Sequence, residues 1–218
     1  MRAPLSRALL AGTADARRQL ECSPFLAALF TGSSGSGVYG EYMRALYCAR
    51  YLSGLREVYR ALEEALWRQR AHPLLRAVPC DEVRRAGAID EDLRCLAGEE
   101  WELLGPPLPA AALHAERVRA VAGEAPCLLL AHAYAAAVCE TAPAPLPCAW
   151  GVRTFHCPIA ERGECDRAQQ VSCAVTRRWA ACLDTLSLQQ DEVEEVVQEA
   201  SFAFRLRAQL CSELAQHG

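Results

Sequence analysis

The chain has 218 residues, 52% of them hydrophobic, and a formal net charge of −4, which suits one globular domain able to bury a core without metals or disulfides. That charge balance argues against a nucleic-acid binder, which presents a basic face. All 23 basic residues are arginine, so chemistry that needs a Schiff-base lysine, a lysine general base or a Walker-type phosphate lysine is excluded.

From Leu5 through Leu9, Ala16 and Leu20 apolar residues recur at helical spacing, with Arg7, Arg17, Arg18 and Glu21 between them, and this pattern predicts a first helix. Ser23-Pro24 restarts the chain as a cap followed by proline, and Gly32 closes a short second helix around Phe25, Leu26, Leu29 and Phe30. Residues 33–40, rich in glycine and serine, read as a flexible connector. A long helix is expected from about Glu41 to Arg70, with Leu46, Leu52, Leu55, Tyr59, Leu62 and Leu66 inward and Gly54 as a kink. Pro73 and Pro79 should bracket a loop, after which Asp81 and Asp90 look like caps for two short helices ending at Gly98.

After the proline-rich break at 106–109, a helix is expected from about Ala110 to Ala122. The run CLLLAHAYAAAV then needs burial on most faces and reads as a central helix. Prolines 143, 145 and 147 block its continuation, so 141–150 should be a loop carrying Leu146 and Trp150. Two last helices, near 163–186 and 188–215, complete an all-α chain with no internal repeat and no convincing strand alternation. The acidic run Asp191, Glu192, Glu194 and Glu195 complements the dipole at the start of the last helix.

Twelve cysteines lie scattered from Cys22 to Cys211 with no C-x-x-C pair, a poor pattern for zinc and a good one for buried free thiols. A reducing, cytoplasmic setting follows as the expectation. The N-terminal apolar run is too short for a signal-peptide core or a membrane span, and no membrane anchor is expected. No histidine has a partner at metal-ligand spacing, and none forms the Glu-x-x-His element of di-iron bundles.

The last helix, EEVVQEASFAFRLRAQLCSEL, resembles the corresponding stretch of heme oxygenases. So do RRAGAIDEDLRCLAGEEW, LLLAHAY, REVYRALEEAL and the TFHCPI turn, in family order from about Thr13 to Leu214. The resemblance implies a single-domain heme-oxygenase-like helical bundle over residues 1–218. It also implies a heme clamped between two helices, with an imidazole on the iron, close backbone approach on the distal side and basic residues at the propionate rim.

Anchored on Thr13 and the downstream SPF, the resemblance puts Arg17 where the iron-ligating histidine belongs, and no histidine precedes His72. A guanidinium stays protonated and does not coordinate iron. Arg17 is then either a solvated helix residue or a holder of a carboxylate or phosphate. The family's glycine-rich distal helix is replaced by AAAVCETAPAPLPCAW, and its rim lysines fall on Leu10, Ala14 and Thr176, its arginine on Ala180.

By this resemblance Arg17, Tyr134, Arg177, Arg178 and Phe204 line the pocket, Arg177 or Arg178 partly replacing the lost rim cations. His132 matches the family's HAY histidine and reads as a satisfied core residue, while Cys22 or Cys48 offers a thiolate as a further route to iron. The expected function is a relative that no longer degrades heme and acts by binding an unidentified protein or small molecule, with no nucleic acid. No catalytic residue and no metal ligand are assigned, and heme is the one cofactor to consider. The alternative is an active heme oxygenase, cleaving heme to biliverdin, carbon monoxide and iron with a non-standard axial ligand.

Overall fold

The structure, a computed structural model, describes residues 4–31, 38–105, 108–140 and 176–216. The chain is all-α, and no strand occurs among the described residues. The helices are α1 (Leu5–Gly12), α2 (Ala14–Glu21), α3 (Pro24–Thr31), α4 (Val38–Arg68), α5 (Pro73–Arg76), α6 (Ala86–Ala97), α7 (Pro109–Glu124) and α8 (Leu129–Glu140). They are followed by α9, described over 176–183, and α10 (Gln190–Gln216).

In α4, Leu52, Leu55, Tyr59, Leu62 and Leu66 form one stripe at three- and four-residue intervals, and all five are buried, whereas Leu46 is half-buried. The stripe exists because α4 lies between α6 and α7. α10 runs along α1, α2, α3, α7 and α8. α8 is buried at every position from Leu129 to Ala137, as expected of an apolar run lacking a polar face. Leu62, Leu93, Leu129, Phe204 and Leu210 all lie in the core.

α4 continues through Gly54 as one helix from Val38 to Arg68. A Cβ there would stand 3.1 Å from Leu210 and 3.4 Å from Ala111, so the glycine is where α4 passes closely over α7 and α10. The expected first helix is instead two, divided at Thr13. The buried Thr13 hydroxyl donates to the Leu9 carbonyl at 2.7 Å, a back-bond that bends helices. The helix before Gly32 takes its expected place as α3, but α4 begins three residues earlier than expected, within the supposed connector.

Helix starts correct the capping expectation. Asp90 lies inside α6, where its carboxylate pairs with Arg56 of α4, and Asp81 sits in a short 3-10 turn, Cys80–Val83, paired with Arg84 at 3.2 Å. The N-terminus of α6 is capped from another helix: the amides of Arg85 and Ala86 donate to Glu63 of α4 at 2.7 and 2.8 Å. Likewise the Ala110 amide at the start of α7 donates to Glu213 of α10 at 2.9 Å, and the Ser6 amide and hydroxyl donate to Asp184 at 2.9 Å each. Carboxylates distant in sequence thus satisfy orphan amides and fix how the helices meet. Pro73 opens a helical turn, α5, where a loop was expected. The expected loop at 141–150 with Leu146 and Trp150, and the start of the helix expected at 163–186, lie outside the described residues.

Candidate functional site

The inner face of α7 carries Ala111, His114, Ala115, Val118 and Val121, all buried and spaced to face α4, α8 and α10. His114 therefore points where an apolar residue would be ordinary. Its Nε2 lies 3.4 Å from Nδ1 of His132 on α8, and Nε2 of His132 lies 2.9 Å from Oε1 of Glu199 on α10. Glu199 also accepts two hydrogen bonds from Arg117, Nε to Oε1 at 2.9 Å and a terminal nitrogen to Oε2 at 2.6 Å. Arg117 is 36% exposed, so the chain of groups runs from the surface to the interior.

Burial alone would raise the pKa of Glu199, yet the hydrogen bonds from Arg117 and His132 outweigh it and hold the carboxyl at about 2. Burial pushes His114 well below 6.5, and the neighbouring His132 and Arg207 push it further. His114 is neutral at neutral pH. The chain ends beside a cavity of about 20 Å³ lined by His114, His132, Tyr59, Phe204 and Arg207, with Ala135 and Ala136 supplying the room. That volume holds about one water molecule. Arg207 is itself buried, donating to the hydroxyls of Tyr59 at 3.3 Å and Tyr51 at 3.5 Å.

Of the sequence-derived pocket residues, the structure brings together Tyr134 and Phe204, whose rings meet edge to face at 6.4 Å. Arg17 stands apart on α2, half-buried, with Nε 3.9 Å from the Glu21 carboxylate and without a hydrogen-bond partner among the described residues. Arg177 and Arg178 are exposed on α9, and Arg178 pairs with Glu82. His132 is the satisfied core histidine that its place in HAY suggested. His114 meets His132 across 18 residues and two helices, a contact that a search for local metal-ligand spacing does not reach.

Glu199 was missed altogether. Its only signal was an acid placed among the buried positions Val196, Ala200, Ala203 and Phe204 of an amphipathic helix. Among the described cysteines Cys48 and Cys211 are buried but Cys22 and Cys95 are exposed, so burial holds for part of the set. Burial and Asp92 raise the Cys48 thiol to about 12, which removes it as a thiolate ligand at neutral pH.

A helical bundle with this order of elements has the heme oxygenase fold. The structure of heme oxygenase-1 from the cyanobacterium Synechocystis sp. PCC6803 in complex with heme superimposes with a TM-score of 0.78 at 22% identity, covering 99% of this chain and 94% of that one. Heme oxygenase from Leptospira interrogans gives 0.77 at 22% identity, with coverage of 97% and 100%. In sequence, heme oxygenase of Guillardia theta is 24% identical over 206 residues, 93% of this chain and 83% of that protein. Heme oxygenase 2 of Oryctolagus cuniculus is 28% identical over 224 residues, 99% of this chain and 68% of that protein. Residues 3–141 match the family model for heme oxygenase, and the chain belongs to that family.

If Arg17 stands where the family resemblance puts the iron ligand, the side chains on α2 do not fit an iron-ligated heme, because a guanidinium does not coordinate iron. Among the described residues the two buried imidazoles, His114 and His132, are committed to one another and to Glu199.

Proposed function

We propose that this protein is a binding member of the heme oxygenase family that does not degrade heme, and that it acts on a protein or a small acidic ligand instead. The observation that carries this reading is Arg17. It occupies the place on α2 that the family resemblance assigns to the iron ligand, and its buried Nε has no hydrogen-bond partner among the described residues. A half-buried cation favours a carboxylate or phosphate over iron.

Heme without an axial imidazole would be held by shape and by rim charge alone. The candidate rim cations Arg177 and Arg178 are exposed, and one of them is spent on Glu82. The cytoplasm is the proposed compartment, in keeping with the free thiols; no described helix is long and apolar enough to cross a membrane.

A second reading, an active heme oxygenase with a non-standard axial ligand, is favoured by the extent of the similarity, which reaches 93–99% of this chain for relatives named heme oxygenase. A reductase-coupled assay with hemin separates the two. The binding reading expects no biliverdin above background, and sustained turnover by the unmodified protein overturns it.

A further inference from the structure

Glu199 is ionised at neutral pH and has only acceptors to offer, so the ring nitrogen of His132 that faces it, Nε2, carries the hydrogen. In the singly protonated form of His132 the lone pair is then on Nδ1. In that form the donor toward the lone pair is Nε2 of His114, 3.4 Å away. His114 is left with an unprotonated Nδ1, on a side chain that lines the cavity, and no described residue donates to it. The other charged or polar groups facing this end are Arg207 from α10 and Tyr59 from α4.

We infer that Glu199, His132 and His114 form a proton relay that connects the cavity with the partly exposed Arg117 at the surface. A proton delivered to Nδ1 of His114 by hydronium in the cavity, which is left as water, releases the Nε2 proton to Nδ1 of His132. His132 in turn releases its own Nε2 proton to Oε1 of Glu199. Both imidazoles end neutral with the opposite tautomer, and the carboxyl passes the proton to solvent beside Arg117. The reverse sequence restores the starting state. No oxidant, metal or ligand enters the balance.

Packing alone gives no reason for two imidazoles in series. A phenylalanine at 114 would fill the same apolar face and leave no lone pair to satisfy, whereas His114 costs desolvation of a polar ring. The relay goes beyond the binding reading and does not need it, because it concerns the protein without heme.

Nitrogen-15 NMR of histidine-labelled protein tests it directly. The expected spectrum at neutral pH shows His114 as the neutral Nε2–H tautomer. In His132→Gln, which keeps a donor toward Glu199 but cannot pass a proton on, solvent exchange of the His114 Nε2–H should slow at least about tenfold, to the rate set by local opening. In Glu199→Ala the tautomer lock should be lost and the Nδ1–H form of His114 should appear. A His114 that is protonated or mainly Nδ1–H in the unmodified protein overturns the relay, whether or not either variant folds. So does unchanged exchange in a folded His132→Gln protein.

Discussion

Nε2 of His132 and Oε1 of Glu199 lie 2.9 Å apart between α8 and α10, both side chains almost fully buried. The pair is stable because Arg117 closes the other side of the carboxylate. Removing the acid by Glu199→Ala leaves His132 and Arg117 without their acceptor. The expected cost is about 2 to 3 kcal/mol, below the ~3–5 of a wholly buried pair because Arg117 is partly solvated. Urea unfolding at neutral pH measures it, and a value near zero would show the pair to be incidental.

The same carboxylate gives a pH dependence with a definite sign. Its folded pKa is held at about 2, below the ordinary value of 4.5, so its contribution is present above pH 4.5 and is lost as the pH falls from there toward 2. The gap in stability between the unmodified protein and Glu199→Gln should therefore narrow over that interval. A gap that widens on acidification contradicts the assignment.

Glu63 caps α6 from α4, accepting from the Arg85 and Ala86 amides. Glu63→Ala should cost about 1 kcal/mol, the usual worth of a cap. The denaturation midpoint should fall with an unchanged m value. No change would mean that water replaces the carboxylate without loss.

In the core, Leu62→Ala or Leu129→Ala should cost about 2 to 5 kcal/mol and Phe204→Ala about 3 to 5. Values near zero for the set would mean that the helices are wrongly placed.

These residues show which parts of the molecule were legible in its sequence. The stripe Leu52, Leu55, Tyr59, Leu62 and Leu66 is local periodicity, and helical spacing is enough to find it. The all-apolar α8 is equally plain. The capping of α6 was not, because its acceptor, Glu63, lies more than twenty residues away, and Asp90 offered a tempting local substitute. The polar chain escaped for the same reason: His114, His132 and Glu199 belong to three helices, and only packing brings them together. The reading of Arg17 at the place of the axial imidazole, by contrast, rests on the family resemblance alone.

Arg17→His should supply a neutral imidazole at the place the resemblance assigns to the iron ligand. The expected outcome is a gain of histidine-type ligation in the absorption spectrum of added hemin, with biliverdin formation still at background. Efficient, regioselective cleavage by this single variant would show that the distal side is intact.

Titration of the unmodified protein with hemin, followed in the Soret region, tests the central claim most directly. With Arg17 at the position proposed for the ligand, binding should be weak and featureless, without histidine-type ligation. A sharp band saturating at one hemin per chain, with the spectrum of an imidazole-ligated iron, would contradict the account.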